Sequence, residues 1–282
     1  MNVLELIKLG TEELKLKKIV SSRLDAEILL SKTLNRERED ILINLNQKVC
    51  ETHLFKYKKL IKRRSRNEPI AYILQEKEFW SKSFFVGPGT LIPRPETELM
   101  IEKLVTIFKE KKISVLDLGT GSGCILISLL SELSGSKGTG IDISKEALLV
   151  AKINVDKHKM QNNVKLLKKS INSEFKHKFD LVVSNPPYIR SNDIQSLSDD
   201  IKKYEPRIAL DGGNDGLDLI KKVIYKTQYI LKVNGMLALE IGNKQFKKVS
   251  KILVSKNFKI EHIIKDYKEN VRCIISTYIN NK

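Results

Sequence analysis

The sequence predicts an α/β protein, a mostly parallel sheet between helices, preceded by a small helical domain and a hairpin connector. Three observations carry this. Residues 1 to about 75 space their apolar side chains helically, with no Gly between Thr11 and Glu78 and no Pro before Pro69. From residue 113 onward, short β-branched runs alternate with helical stretches, the pattern of strands joined by crossover helices. Several of those runs stop at Gly, Asp or Asn-Pro, and ligands bind at the carboxyl ends of strands in open α/β sheets.

The N-terminal domain, residues 1–75, opens with Val3, Leu4, Ile7 and Leu14, then Leu24, Ile28 and Leu29, near i, i+3, i+4 spacing. Ser21-Ser22 followed by Asp25 has the form of a helix start. His53 to Arg66 sets Leu54, Tyr57, Leu60 and Ile61 on one face and six basic residues around the other, which reads as a solvated face. Residues 76–93 are rich in aromatic and turn residues, and form the β-hairpin linker. The remainder, 94–282, begins with Arg94-Pro95-Glu96-Thr97-Glu98, a proline and early acids that start a helix over Leu99–Lys109.

Strand Ile113–Leu116 follows, ending in Asp117, then the loop Gly119-Thr120-Gly121-Ser122-Gly123 and a helix over Cys124–Ser134. Strand Gly138–Ile143 carries Asp142, helix Lys145–Lys159 follows, and Val164–Leu167 is the third strand. The fourth, within Phe179–Tyr188, stops at Ser184-Asn185-Pro186-Pro187-Tyr188, because two prolines cannot join a ladder. A glycine-rich loop over 205–216 leads to helix Leu217–Leu231, strand Met236–Ile241 and helix Gln245–Val254. Strands Phe258–Ile264 and Arg272–Tyr278 close the chain as a hairpin, adding one antiparallel strand.

The 282 residues are enough for two domains, and 41% hydrophobic with 30% charged residues describe a soluble protein. Apolar runs such as Ile125–Leu130 fall far short of the ~18 residues of a membrane helix. The N-terminus, with Glu5, Glu12 and Glu13, lacks the form of a signal peptide. Cys50, Cys124 and Cys273 are too few and too scattered for a disulfide framework or a zinc cluster, so the cytoplasm and no metal are expected. The net charge of +17 is spread along the chain: residues 1–75 hold 16 basic and 10 acidic groups, the rest 35 and 24. Such a surface attracts nucleic acid non-specifically, and no membrane partner is implied.

The glycine loop and Asp142 define a ribose-bearing ligand. Glycines let backbone approach a ligand and bring a helix N-terminus toward it, and an acid about 20 residues later accepts from ribose hydroxyls. The spacing G-x-G-x-G is one residue short of the dinucleotide pattern, and no Walker Lys-Ser/Thr follows. S-adenosylmethionine therefore fits better than NAD or a triphosphate. Its candidate contacts are Gly119, Thr120, Gly121, Ser122, Gly123, Asp142 and Asn185.

The chain resembles the PrmC/HemK family of peptide chain release factor glutamine methyltransferases. The likeness runs over Glu68–Ile73, Phe79-Trp80, Leu91–Glu98, loop 119–123, Asn185–Tyr188, Glu205-Pro206-Arg207, Leu210–Gly213 and Leu239–Gly242. It implies a class I SAM-dependent methyltransferase domain, a Rossmann-like seven-stranded sheet, behind an N-terminal helical substrate-recognition domain. It also implies transfer of a methyl group to the side-chain amide nitrogen (N5) of the Gly-Gly-Gln glutamine in bacterial class I release factors of both types, by a monomer. Gln75 stands where the family more often has Gly, Lys168–Ile171 lacks the usual acidic-aromatic pair, and Lys268-Glu269-Asn270 lacks a turn glycine.

With that resemblance, Asn185, Pro186 and Tyr188 become the candidate catalytic residues, and Asn185, Pro186, Pro187 and Tyr188 the substrate-binding ones. An amide nitrogen is a poor nucleophile because its lone pair is delocalised. The Asn185 carboxamide oxygen and the Pro186 carbonyl are expected to accept its N–H bonds, with Tyr188 against the flat amide. None of His53, His158, His177 or His262 sits in a motif. The rival readings are a methyltransferase acting on an exocyclic amine of adenine or guanine in RNA or DNA, and a non-catalytic RNA-binding module.

Overall fold

The computed structural model describes residues 1–279. The chain divides into two compact units: Met1–Glu76 with Ser198–Tyr204, and Lys77–Leu197 with Glu205 to the C-terminus.

The first unit is helical: α1 (Val3–Leu16), α2 (Ser22–Leu34), α3 (Arg38–Ile43), α4 (Glu51–Arg64) and α5 (Ile70–Leu74). Asn2 and Glu5 form a reciprocal capping box on α1, satisfying two end N–H groups. Val3, Leu6, Leu14, Leu29, Leu30, Tyr57 and Ile61 fill the core. Ser21 does stand at the cap of α2, yet its hydroxyl accepts from no backbone N–H and instead donates to the Asp25 carboxylate (2.9 Å). Asp25 is held there by Arg64 of α4, at 2.7 Å and with both side chains largely buried. Arg63 pairs with Glu68, so two of the six basic residues on that helix face inward partners and only the others are free to be solvated. Removing one partner of the buried Arg64–Asp25 pair costs about 3–5 kcal/mol. A short helix, α9 (Asp199–Tyr204), completes the unit through the Tyr204 hydroxyl on the Arg66 carbonyl (3.0 Å).

The second unit opens with a hairpin, β1 (Glu76–Phe79) and β2 (Lys82–Phe85), then α6 (Glu98–Phe108) after a 3-10 turn, Pro95–Thr97. It continues β3 (Ser114–Leu118), α7 (Cys124–Glu132), β4 (Lys137–Asp142), α8 (Lys145–Lys157), β5 (Val164–Lys168) and β6 (Phe179–Ser184). After α9 come α10 (Asp218–Ile230), β7 (Leu231–Glu240), α11 (Phe246–Ser255), β8 (Phe258–Lys265) and β9 (Val271–Tyr278). The seven strands order as β5-β4-β3-β6-β7-β9-β8, with β9 antiparallel to both neighbours.

Strand alternation explains the two layers of helices. Val115, Leu181, Val183, Ala238 and Ile275 face α6, α7 and α8, whereas Leu116, Val182, Leu237, Leu239 and Ile274 face α10 and α11. Strand β7 begins five residues earlier than the Met236 start read from sequence. Leu231 already pairs with Phe179, and the exposed stretch Lys232–Asn234, with Asn234 at φ 60°, bulges out before Met236 rejoins at Leu181. No helix among the described residues is long and apolar enough to cross a membrane.

Candidate active site

The chain leaves β3 for β4 on one side and reaches β6 on the other, so the sheet switches direction between β3 and β6. Crevices of this kind take ligands in open α/β sheets. Here a cavity of about 680 Å³ opens at the carboxyl ends of β3, β4 and β6, a size suited to one small molecule. Gly119, Thr120, Gly121, Ser122, Asp142, Asn185, Pro186 and Pro187 line it.

The glycine loop is tied down on its sheet side and open on its cavity side. The N–H groups of Gly119 and Thr120 both donate to the Ile141 carbonyl (3.0 and 2.9 Å), and the Thr120 hydroxyl donates to Asp117 Oδ2 (2.7 Å). Gly119 and Gly121 have φ of +78° and +55°, and a side chain there would meet no protein atom within 4 Å. That is a cradle left open for a ligand. Gly123 does not line the cavity; it caps α7 from behind the loop, at φ +80°. Asp142 Oδ2 accepts from Gly121 N–H and Oδ1 from Ser144 N–H, both at 3.0 Å. Each carboxylate oxygen keeps a further lone pair for a ligand hydroxyl. Asp117 is fully buried, and its Oδ1 has no partner. Burial pushes its carboxyl up to about 7, against the Thr120 hydroxyl bond that lowers it.

On the other wall, Asn185 follows β6 directly, beside the end of β7. Its Nδ2 donates to Thr97 Oγ1 (3.5 Å), and Thr97 donates to Glu240 Oε2 (2.6 Å). The Tyr188 hydroxyl reaches Glu240 Oε1 at 3.4 Å. Burial, then the nearby Glu240 carboxyl, raises the Tyr188 phenol, so it remains a donor. Glu240 is itself pushed up to about 7, chiefly by burial. Tyr188 thus sits behind the cavity wall rather than on it. Thr97 and Glu240 lie in stretches that carried the family resemblance, but the sequence suggested no role for either.

The segment after the prolines is buttressed from the 205–216 loop. Ile189 exchanges backbone hydrogen bonds with Leu210 and Gly212, at 3.1 and 2.7 Å. Gly212 is packed so closely that a Cβ would lie 2.8 Å from the Pro187 carbonyl and 2.9 Å from Tyr188 Cα. Gln245 Nε2 donates to the Tyr188 carbonyl (3.1 Å). Glu205 holds the Ile92 N–H and the Arg94 guanidinium, fixing the chain that leads to Thr97. The stretch after the third strand, Lys169–Asn172, forms another wall, and Ile143 lies half exposed beside Asp142.

Residues 5–74 match the family described as PrmC N-terminal domain, and residues 95–202 the one described as methyltransferase small domain. A bifunctional methyltransferase of Rickettsia typhi is 38% identical over 277 residues, covering 91% of this chain and 54% of that one. A release factor glutamine methyltransferase of Clostridium botulinum is 40% identical over 261 residues, covering 91% of this chain and 92% of that one. The chain therefore spans about half the length of the rickettsial relative and nearly all of the clostridial one. Among solved structures, the ribosomal protein L11 methylase of Lactobacillus delbrueckii subsp. bulgaricus matches with a TM-score of 0.51 at 21% identity, over 68% of this chain and 83% of that one. That likeness is one of fold.

Proposed function

The chain belongs to the family of release factor glutamine methyltransferases, and we propose that it methylates the side-chain amide nitrogen of the glutamine in the Gly-Gly-Gln motif of peptide chain release factors, in the cytoplasm. The observation that carries this is an amide, Asn185, at the end of β6, lining the same cavity as a glycine loop and a ribose-compatible acid. S-adenosylmethionine, when bound, supplies an electrophilic methyl group. Gly119, Thr120, Gly121 and Ser122 would make room for its amino-acid portion, Asp142 would accept from its ribose, and Ile143 and Ile171 would offer apolar surface to its adenine. Gly123 serves by shaping the loop.

The chain's own residues act on the substrate nitrogen. Asn185 Oδ1 and the Pro186 carbonyl oxygen accept no hydrogen bond from the described residues. Both are therefore available to the two N–H groups of a glutamine amide. Holding those N–H groups outside the amide plane frees the lone pair, and the bonds strengthen as the nitrogen becomes tetrahedral. The proton that must leave the methylated nitrogen would stay bonded to it, hydrogen-bonded to Asn185 Oδ1 or the Pro186 carbonyl, neither of which is basic enough to keep it, and would pass to solvent once the N–C bond has formed. Pro187 keeps Asn185 and Pro186 extended, and Tyr188 supports them from behind through Glu240. The helical unit, matched to the PrmC N-terminal domain, grips the release factor away from the glutamine. A single copy of the chain suffices for each of these roles.

The experiment is transfer of labelled methyl from S-adenosylmethionine to release factor, rRNA or DNA, with N185A and D142A beside the wild type. Label is expected in release factor alone. N185A should lose transfer with donor affinity kept, and D142A should weaken donor affinity about tenfold or more, read by calorimetry. Label in nucleic acid only, or full activity of N185A, would overturn the reading.

A further inference from the structure

We propose that Thr97 and Glu240 are positioning residues that lock the Asn185 carboxamide with its oxygen toward the substrate amide. The inference rests on the methyl-transfer reading of the site. A carboxamide has two ends of nearly equal size and opposite sense: the oxygen accepts and the NH₂ donates. The nitrogen of a glutamine amide presents only N–H groups to a partner. A flipped Asn185 would set donor against donor and leave the lone pair where it is.

The shape of the pocket cannot choose between the two orientations, but the hydrogen-bond chain can. Thr97 has one hydroxyl hydrogen, and the Glu240 carboxylate, the form present as pH rises through about 7, takes it on Oε2 at 2.6 Å, a length typical of an O–H bond to a carboxylate. With its hydrogen committed, Thr97 Oγ1 can only accept, so the group facing it must be the Asn185 NH₂, as it is at 3.5 Å. Asn185 makes no other side-chain hydrogen bond among the described residues. The oxygen is the end that remains.

Both supporting residues are held where they must be. Thr97 is 2% exposed and ends the 3-10 turn Pro95–Thr97, its N–H on the Arg94 carbonyl at 3.1 Å. Glu240 is 3% exposed, follows the Ser184–Leu239 pair in register and is paired with Cys273 across the ladder. Its second oxygen faces Tyr188. The tyrosine after the two prolines therefore belongs to the same chain of bonds.

The test is Thr97→Val in the 282-residue protein, measured on release factor with Thr97→Ser and Asn185→Ala in parallel. Thr97→Val should lower kcat by about tenfold or more. KM for release factor and the affinity for S-adenosylhomocysteine should stay within about twofold. Thr97→Ser, which restores the hydroxyl, should recover most of kcat. If Thr97→Val fails to fold, Glu240→Gln decides. Its NH₂ can donate to Thr97 and turn the hydroxyl back toward Asn185, so kcat should again fall at unchanged KM. Wild-type kcat in Thr97→Val, a loss that Ser does not restore, or an equal loss of donor affinity would overturn the assignment. Those outcomes with Asn185→Ala inactive remove only the Thr97–Glu240 lock. Activity of Asn185→Ala equal to wild type removes the reading of the site itself.

Discussion

Glu240 is a carboxyl group buried among Thr97, Tyr188 and the ladder partner Cys273, and its charge is the costly part of it. Burial raises its pKa from the ordinary 4.5 to about 7, and the Thr97 and Tyr188 hydroxyls and Arg272 only partly oppose this, while Glu96 adds to it. Between pH 4.5 and 7 the native state then binds more protons than the unfolded chain, so this group's contribution is fully present below 4.5 and lost as pH rises through 7. A rise of that size is worth about 3 kcal/mol. Glu240→Gln removes the titration. The ligand-free variant should therefore gain stability relative to wild type as pH rises from 5 to 8, read as urea midpoints. An offset independent of pH would contradict the burial of charge at this position. Thr97 and Glu240 also mark what the sequence hides at this scale. Asn185 and Asp142 are legible because each ends a strand, but Thr97 and Glu240 meet across 143 residues, and only the folded sheet brings them together.

Elements with a clear period and a clear stop could be read in order, and those that depend on distant partners could not. The β1–β2 turn is an instance. Trp80 and Ser81 both have positive φ, 53° and 51°, the geometry of a two-residue hairpin turn that Asn-Gly normally fills. Trp80 is kept there by its N–H on Glu98 (3.1 Å) and its indole on Glu132 (3.0 Å), contacts 18 and 52 residues away. Ser81 is exposed and makes no such side-chain contact among the described residues. Ser81→Gly should therefore raise stability by about 0.5–1 kcal/mol, measured as the urea midpoint, and an unchanged or lower midpoint would contradict the turn. Two departures from the family pattern have the same physical form. Gln75 closes α5 at φ 57°, and Glu269 sits at φ 62°, both conformations that favour glycine. The second turn is held by Asp266, which accepts from Lys268, Asn270 and Arg272. Although partial burial raises it, those bonds hold its carboxyl down at about 2. The short helices α3, α5 and α9 escaped the sequence reading because five or six residues carry no period of their own.

At the scale of the whole molecule, composition leaves substrate choice open. A net charge of +17 attracts any polyanion and selects none. The described contacts place Ser198–Tyr204 with the helical unit, although it lies between Tyr188 and the 205–216 loop in sequence. In sequence, the stretch that follows the proposed amide clamp therefore includes a segment grouped with the unit proposed to grip the release factor. If binding energy from remote contacts is used to hold the glutamine in place, it should appear in kcat/KM for a whole release factor and be absent for a short Gly-Gly-Gln peptide. The 282-residue chain is expected to prefer the whole release factor by about 100-fold or more. Deleting residues 1–76 should bring the two substrates close to equal, with S-adenosylhomocysteine affinity by calorimetry confirming that the remaining unit is intact. A deletion variant that keeps the preference would place recognition in the methyltransferase unit alone, and the helical unit would then need another role.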